Sequence, residues 1–387
     1  MAASVTLLPR GVERTRSRHP WVYRSDLGEV RAVAGDTVRV LDGRGRVLAH
    51  ALYSDRSQIA LRVITWGDQA AGPDLWRARI DRALRYREAL GIEATACRLV
   101  HGEGDLLPSL VVDRYGDQLV VQTLSQGTDR LLPDLTRILV DLVAPAGILA
   151  RNDPKVRELE GLERKVEVLY GDVPERVQVD EGGVRYRVDL RRGQKTGLFL
   201  DQRENRDAAA RYATGRLLDG FCYEGAFALR LARHVEHALA LDVSEEATAR
   251  VRENAAENGL ANVEARAVNV FDELRELGRA GERFDTIVLD PPAFAKSKAA
   301  LPKALAGYKE INLRALRLLR PGGFLVTCSC SYHVDEATFG EVLYEAALDA
   351  GVQVAVVEKR MQGRDHPVVL GVPETYYLKC LILRRLA

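Results

Sequence analysis

The chain has 387 residues, of which 47% are hydrophobic and 29% are charged, and its formal net charge is +1. This length exceeds what one hydrophobic core usually serves, so two or three domains are expected, and the balanced charge indicates no particular partner. No apolar run is long enough to cross a membrane and the first four residues open no signal peptide, so the sequence predicts a cytoplasmic protein.

The five cysteines are predicted to be free thiols, because disulfides are rare in chains that remain in a reducing compartment. No C-x-x-C pair occurs, so no structural zinc site and no other metal is expected. The cysteines are Cys97, Cys222, Cys328, Cys330 and Cys380.

Basic residues are concentrated in three stretches, at 10–31, 185–211 and 296–320. Charge runs usually mark solvated faces of a protein. Three of them in one nearly neutral chain favour a polyanionic partner such as RNA.

The N-terminal region, residues 1–73, is predicted to be a small β barrel. The strand Thr37–Leu41 is followed by Asp42 and Gly43, which is a hairpin signal, and residues 58–64 alternate between apolar and polar.

Residues 74–185 are predicted to form a second, α+β domain. Its helices are predicted over 74–90 and 131–143, its strands at 110–112, 119–121, 148–150 and 166–169, and a hairpin around 181–183.

From residue 186 onward, strand and helix patterns alternate, which predicts a doubly wound, Rossmann-like parallel sheet. The last apolar run, at 376–383, follows a strand with no helix between them, so it is predicted to pair antiparallel. The other strands are predicted at 217–218, 238–241, 263–268, 286–289, 324–327 and 352–357, and the helices at 226–232, 245–258, 271–277, 304–319 and 336–350.

Residues 284–298 read F-D-T-I-V-L-D-P-P-A-F-A-K-S-K, and they carry the strongest single motif. A short apolar strand ends at Asp290, and two prolines then lead the chain out of the sheet as a stiff turn. Open α/β sheets bind ligands at the carboxyl ends of their strands, so Asp290 and Phe294 suit hydrogen bonding to, and stacking on, a flat ring. The alternative is an ordinary turn with Phe294 in the core.

A second motif, D-G-F-C-Y-E-G-A-F, follows the first strand of this region, and Gly220 and Gly225 bracket its tight turn. It lacks the third glycine that a dinucleotide site would need. Asp242 ends the second strand, where a carboxylate accepts from ribose hydroxyls, and Asn269 follows the third, facing an adenine amino edge. A nucleoside ligand is favoured over a plain α/β turn in which Asp242 caps the helix at Ser244.

The fifth strand ends in T-C-S-C-S, which puts Cys328 and Cys330 on one face because side chains two apart in a strand point the same way. Cys330 is nearer the edge and beside the strand that carries Asp290, which favours a nucleophile. Most free cysteines are small buried hydrophobic residues, and this is the prediction for Cys97 and Cys380.

Taken together, these motifs resemble class I S-adenosylmethionine-dependent methyltransferases, and most closely the RlmI-like family of 23S rRNA cytosine-C5 methyltransferases. The stretch at 193–206 is similar to the family's segment before the first strand, and 19–23 and 57–62 are similar to its PUA RNA-binding domain. The resemblance implies a PUA domain (1–73), a central α+β domain (74–185) and a catalytic domain (186–387). The catalytic sheet would have seven strands, parallel except for the last.

The resemblance also implies S-adenosyl-L-methionine as cofactor and Cys330 as nucleophile. The implied partner is 23S rRNA or a large-subunit precursor, with no metal or membrane, and a homodimer is expected. Residues implied to bind the cofactor are Phe199, Asp201, Gln202, Asp219, Phe221, Tyr223, Gly225, Asp242, Asn269 and Asp290; those implied to bind RNA are Phe294, Lys296 and Lys298.

Two positions depart from the relatives. Asn269 stands where many carry aspartate, and its carbonyl can still accept from an adenine amino group. Ala293 stands where RNA cytosine-C5 enzymes outside this family carry a further cysteine. The expected chemistry is addition of the Cys330 thiolate to cytosine C6, with Asp290 bonding N3, and the base that removes the C5 proton is not identified.

Two other functions stay open at this point. The D-P-P turn also serves methylation of exocyclic amines, and methylation of uridine C5 likewise uses a cysteine. A protein that keeps this fold but only binds RNA, as an assembly factor, is the other alternative, since a fold does not prove a function.

Overall fold

The computed structural model describes residues 3–69, 71–295 and 297–387, so Lys296, one of the predicted RNA contacts, lies outside the described residues. The chain forms two compact units. The first comprises Met1–Asp180, Val188–Leu200 and Arg364–Thr375, and the second Glu181–Arg187, Asp201–Gly363 and Tyr376–Ala387. No helix in the described part of the chain is long and apolar enough to cross a lipid bilayer. The three-domain division stays a prediction.

The first unit begins with a six-stranded sheet whose strands have short apolar alternations, as in Thr37–Leu41, where every second residue is buried. Its strands are β1 (Ser4–Leu7), β2 (Trp21–Tyr23), β3 (Leu27–Arg31), β4 (Thr37–Leu41), β5 (Val47–Tyr53) and β6 (Ile59–Trp66). They are ordered β2-β6-β5-β4-β1-β3, and the predicted hairpin of β4 and β5 is confirmed. Sequence patterns missed helix α1 (Pro9–Arg16), a polar helix with only Gly11 and Thr15 buried.

A five-stranded sheet follows in the first unit. Each strand lies beside the strand that precedes it in the sequence, so the spatial order is the sequence order. A separate short helix precedes the predicted helix over 131–143. The two helices are divided at Leu131, and Pro133 lies in the first turn of the second helix. The strands are β7 (Ala96–His101), β8 (Leu110–Tyr115), β9 (Gln118–Thr123), β10 (Gly147–Asn152) and β11 (Lys165–Gly171), and the helices are α2 (Pro73–Ala89), α3 (Gln126–Arg130), α4 (Leu132–Val143) and α5 (Val156–Leu159).

A hairpin of two strands, β12 (Arg176–Glu181) and β13 (Val184–Asp189), contains two of the five points where the chain changes unit. This hairpin was predicted around residues 181–183 and is confirmed.

The second unit is built on a seven-stranded sheet. Its strands are β14 (Arg216–Gly220), β15 (His237–Asp242), β16 (Val263–Ala267), β17 (Phe284–Leu289), β18 (Leu319–Ser329), β19 (Val354–Arg360) and β20 (Lys379–Arg385). Their order is β16-β15-β14-β17-β18-β20-β19, and β20 alone runs antiparallel to its neighbours β18 and β19. The predicted parallel sheet with an antiparallel last strand is confirmed.

Helices cover both faces of this sheet. One core contains residues of the ninth to eleventh helices, such as Leu274, Tyr308 and Phe339, and another contains Ala208 and Phe227 from the sixth and seventh. The helices are α6 (Arg203–Ala210), α7 (Ala226–Leu231), α8 (Glu245–Glu257), α9 (Val270–Arg279), α10 (Leu301–Leu318) and α11 (Glu336–Ala350).

Strand β18 is longer than the predicted 324–327. Phe284 of β17 pairs with Leu319 but Thr286 pairs with Phe324, so the residues between are an insertion in the ladder. Pro321 has no amide proton to donate, and Gly322 has a φ of +83°. The prediction stopped at this insertion because a proline and two glycines read as a turn.

Candidate active site

Five predicted site residues lie at one edge of the seven-stranded sheet. Because β14 to β18 are parallel, their carboxyl ends meet at that edge. The five are Asp219 near the end of β14, Asp242 at the end of β15, Asn269 after β16, Asp290 after β17 and Cys330 after β18. The structure therefore brings together residues that the sequence analysis took from separate motifs.

The turn after β14 has an unusual backbone. Phe221, Tyr223 and Gly225 have φ values of 65°, 50° and 79°, and two of these left-handed residues are not glycine. A side chain on Gly225 would put its Cβ 2.9 Å from Val251. Strained backbone persists only where the surroundings hold it, and it is concentrated at ligand sites.

The Asp242 carboxylate holds this turn in place. Its Oδ2 accepts a hydrogen bond from the amide of Tyr223 at 2.9 Å, and its Oδ1 accepts one from the amide of Ser244 at 3.0 Å. The predicted alternative made Asp242 the cap of helix α8, but the N-cap is Ser244, whose hydroxyl accepts from the amide of Ala247 at 3.2 Å. A carboxylate can accept about four hydrogen bonds, so acceptor sites are left for the hydroxyls of a ribose.

Asp219 is a buried acid whose carboxylate is only half used. Its Oδ2 accepts from the amide of Ala228 at 2.8 Å, whereas Oδ1 has no hydrogen-bond partner among the described residues. Burial, and then the nearby carboxylates of Asp290 and Asp242, raise the pKa of Asp219 to about 8. An unpartnered buried oxygen of this kind suits a cationic ligand group.

Asn269 caps helix α9, because its Oδ1 accepts from the amide of Phe271 at 2.9 Å. This contact uses one lone pair of the carbonyl, and leaves the other lone pair and the amide protons for a ligand. The side chain of Asn269 is exposed, and the contact fixes the direction of its carbonyl.

Three phenylalanines lie together beside these polar groups. The ring centroids of Phe221 and Phe271 are 6.0 Å apart, and that of Phe294 is 6.4 Å and 5.9 Å from them, respectively. Phe294 also lies 4.7 Å from the ring of Tyr308 and packs against the buried core. It is half-buried, so the predicted core contact exists on one side of the ring while part of the ring stays accessible.

Cys330 differs from the other cysteines. It is half-buried and its thiol donates to the carbonyl of Pro291 at 3.9 Å, whereas Cys97, Cys222, Cys328 and Cys380 are all buried. Cys328 lies opposite Cys380 in the ladder, and Cys330 packs against the same core, as expected for residues two apart. Among the five cysteines, Cys330 is the one that combines exposure with a position at the carboxyl edge.

Three groups around Cys330 were missed by the sequence analysis. The Ser331 hydroxyl lies 2.9 Å from the Tyr308 hydroxyl and accepts from the amide of Ala295 at 3.1 Å. Lys379 donates to the carbonyl of Ser331 at 2.7 Å. The one signal in the sequence was Lys379 itself, a charged residue inside the apolar run at 376–383.

Three predicted cofactor residues lie before α6. Phe199 belongs to the first unit, where the Lys195 ammonium is 4.4 Å from its ring centroid. Asp201 and Gln202 belong to the second unit and are buried. Asp201 Oδ2 accepts from the Tyr377 hydroxyl at 2.7 Å, so it anchors the segment that leads into β20.

Of the predicted RNA contacts after the D-P-P turn, Lys298 is exposed and begins the short 3-10 turn Lys298–Ala300. Within the described ranges, no group of three or more histidine, cysteine or acidic side chains is arranged to hold a metal ion.

Comparison with known proteins assigns the fold to a family. Residues 97–384 match the family model of S-adenosylmethionine-dependent methyltransferases, and residues 5–66 match that of PUA-like domains. The chain belongs to the S-adenosylmethionine-dependent methyltransferase family. Among its relatives, this methyltransferase is 41% identical over 378 residues, 95% of each chain, to a protein of Tolumonas auensis named ribosomal RNA large subunit methyltransferase I. A protein of the same name from Aeromonas hydrophila is 40% identical over 99% of this chain and 100% of its own.

Solved structures of methyltransferases have the same fold. One from Streptococcus mutans has a TM-score of 0.84 at 19% identity, covering 98% of this chain and 99% of the other. Another, in complex with S-adenosylhomocysteine (SAH), has a TM-score of 0.85 at 18% identity and also covers 98% of this chain and 99% of its own.

The groups at the carboxyl edge fit the cofactor of this family. The unpartnered Oδ1 of Asp219 can accept a hydrogen bond from the methionine amino group, whose positive charge would favour the ionised carboxylate. The remaining acceptor sites of Asp242 match the ribose hydroxyls, and the amide of Asn269 beside the phenylalanines matches adenine. The methyltransferase therefore offers groups of the right chemistry for the amino group, the ribose and the adenine of S-adenosyl-L-methionine.

Proposed function

We propose that this methyltransferase forms 5-methylcytidine in large-subunit ribosomal RNA, through a covalent adduct of Cys330 with cytosine C6. The observation that carries the proposal is the half-buried Cys330 thiol, 3.9 Å from the carbonyl of Pro291, the residue that follows Asp290. The names of the relatives and the PUA-like domain support RNA as the substrate. The free 23S rRNA or a precursor of the large subunit would be the partner, in the cytoplasm, and the homodimer stays a prediction.

The cofactor residues are proposed as follows. Asp242 would bind the ribose hydroxyls, because two backbone amides already fix its carboxylate. Asn269 would bind adenine, and Asp219 the methionine amino group. Phe199, Asp201, Gln202, Phe221, Tyr223, Gly225 and Asp290 would complete the site, as the sequence motifs predict.

Cytosine C5 is a weak nucleophile, so the reaction needs activation of the ring. S-adenosyl-L-methionine, when bound, supplies an electrophilic methyl group. The Cys330 thiolate adds to C6, which turns the ring into an enamine whose C5 is nucleophilic enough to accept the methyl group. A base then removes the C5 proton, and elimination of the thiolate restores the aromatic ring.

Asp290 would bond to cytosine N3 and stabilise the charge that develops when the thiolate adds. This role requires a protonated or proton-sharing carboxyl group.

The target base must leave its stack to reach Cys330. The accessible side of Phe294 offers a surface for stacking, while Lys298 and Lys296 would meet neighbouring phosphates and contribute affinity rather than base identity. Ala293 is half-buried and has no thiol, so release of the product cannot use a second cysteine at that position.

The test is a nucleoside analysis. Unmodified large-subunit rRNA would be incubated with S-adenosyl-L-methionine and the wild type, Cys330→Ala or Cys328→Ala, then digested and analysed by mass spectrometry. We expect 5-methylcytidine from the wild type and from Cys328→Ala, because Cys328 is buried in the core, but none from Cys330→Ala.

Each other outcome contradicts part of the proposal. Equal product from Cys330→Ala would exclude the thiolate adduct, and a methylated exocyclic amine would replace it with chemistry that needs only the D-P-P turn. 5-Methyluridine would keep the thiolate and change the base. No product from the wild type, with RNA binding intact, would favour an assembly factor.

A further inference from the structure

Lys379 is a buried lysine beside the proposed nucleophile. It begins β20, opposite Ser329 in the ladder, and only 2% of it is exposed. Its ammonium donates to the carbonyl of Ser331 at 2.7 Å and to that of Tyr377 at 2.9 Å. The first of these carbonyls belongs to the residue directly after Cys330, so the ammonium lies against the backbone that carries the thiol.

The surroundings of Lys379 lack a paired anion. In the described part of the chain no carboxylate lies within ion-pair distance of its ammonium, although a buried charge is costly unless it is paired. Burial lowers the pKa of Lys379 to about 8, and Cys330 and then Asp335 act in the opposite direction. The ammonium has a third proton to donate beyond its two carbonyl contacts.

The other titratable groups around Lys379 and Cys330 come from every neighbouring element. They are Tyr308 on α10, Asp290 after β17, Cys328 on β18, Asp335 before α11 and Cys380 on β20. Burial raises the pKa of Tyr308, and the hydrogen bond with Cys380, followed by burial, raises the pKa of Cys328, so both groups are neutral near pH 7. The two aspartates can only repel a thiolate, and Lys379 is the cation among these groups.

We propose that Lys379 is a positioning residue that holds the Cys330 segment and stabilises the Cys330 thiolate. The inference rests on the proposed function, because it assigns a partner to the nucleophile assumed there. A cation next to a thiol favours the ionised form, and the thiolate is the form that adds to C6. Lys379 acts through Cys330 and takes no part in bond making itself.

A purely structural lysine would have a different signature. If Lys379 only bridged the two carbonyls, its loss would affect folding or the position of β20, but it would leave the ionisation of Cys330 unchanged. The reactivity of the thiol as a function of pH separates the two roles. Cys330 can be followed alone, because the other four cysteines are buried.

The experiment measures alkylation of Cys330 by iodoacetamide between about pH 5.5 and 9.5, a range that spans the usual pKa of a thiol, by mass spectrometry, in the full chain without RNA. The variants are Lys379→Met, which keeps the length and removes the charge, and Lys379→Arg, which keeps the charge. Lys359→Met is the matched control, since Lys359 is an exposed lysine of β19 paired with Glu336. Binding of SAH by calorimetry reports whether each variant is folded.

We expect Lys379→Met to slow alkylation at neutral pH by about 10-fold or more and to move the profile to higher pH. Lys379→Arg and Lys359→Met should keep a profile close to that of the wild type. An unchanged profile in a Lys379→Met protein that binds SAH would overturn the inference. If Lys379→Met does not fold, Lys379→Gln decides by the same criterion.

This test is independent of the one for the proposed function. Alkylation needs neither RNA nor methyl transfer, so a shifted profile supports the role of Lys379 even if the substrate differs. Product formation by Cys330→Ala would contradict the proposed function while the alkylation profile would still report on the thiol.

Discussion

The two edges of the seven-stranded sheet use charge in opposite ways. At the amino edge, a cleft of about 600 Å³ is lined by Arg275, Arg279, Arg283, Arg314, Arg317, Arg320 and Arg385. Several of these pair with acids nearby, such as Arg320 with Asp285 and Arg275 with Glu310. At the carboxyl edge, the acids Asp219 and Asp242 accept only from backbone amides in the contacts described above.

Two aspartates on neighbouring strands show what the difference means. Asp285, near the amino end of β17, accepts from the Arg216 amide and from Arg320, and so its carboxylate is satisfied within the protein. Asp219, near the carboxyl end of β14, has a buried oxygen without a partner among the described residues. The carboxylate of Asp285 is used by the fold, whereas that of Asp219 keeps hydrogen-bonding capacity at the edge proposed to bind the cofactor.

The largest expected effect follows from Asp242→Ala, which removes the acceptor of two backbone amides and the proposed ribose contact. We expect SAH to bind about 100-fold more weakly, the equivalent of two hydrogen bonds to a charged group, measured by calorimetry. Asp42→Ala is the control, because Asp42, in the turn between β4 and β5, also accepts from two backbone amides, those of Arg44 and Arg46. Equal affinities for the two variants would remove Asp242 from the site.

An intermediate, pH-dependent effect is expected for Asp219→Asn. Burial raises the pKa of Asp219 from 3.8 to about 8, so between these values the folded state keeps a proton that the unfolded state has lost. The contribution of this group to stability therefore falls as the pH rises towards 8. The asparagine side chain cannot ionise, and the free energy of unfolding of Asp219→Asn should rise relative to the wild type between about pH 5 and pH 8 in urea titrations. If the unfolding free energies of the wild type and of Asp219→Asn followed parallel pH profiles, a raised pKa of Asp219 in the folded state would be contradicted.

The smallest effect is expected for Arg320→Ala at the amino edge. Arg320 is 45% exposed, and exposed ion pairs contribute little because water screens them. We expect the free energy of unfolding to change by less than about 1 kcal/mol, with no change in SAH affinity. A clear loss of SAH affinity would mean that the two edges are coupled, and the contrast between them would fail.

The fold of the second unit could be predicted because its signals are local. Alternating strand and helix patterns imply a parallel sheet, and the missing helix before β20 implies an antiparallel partner. Asp242, Asp290 and Cys330 could be found for the same reason, since each directly ends or follows an apolar strand. Parallel strands then bring their ends to one edge without any information on side-chain contacts.

The contacts of these residues could not be predicted, because they join distant parts of the chain. Lys379 meets Ser331 only through the pairing of β20 with β18, and the unpartnered oxygen of Asp219 depends on what packs around β14. Helix α1 was missed since it is polar and short, and β18 was shortened because its Pro-Gly-Gly insertion resembles a turn.

The position of β20 has a consequence for how the protein is made. This strand is the last of its sheet to be synthesised, yet it lies between β18 and β19. Until it has left the ribosome, β19 has no neighbour in the sheet and Cys330 lacks Lys379. Domains fold as units during translation, so we expect the sheet and the surroundings of Cys330 to be completed only after the last residues of the chain have left the ribosome.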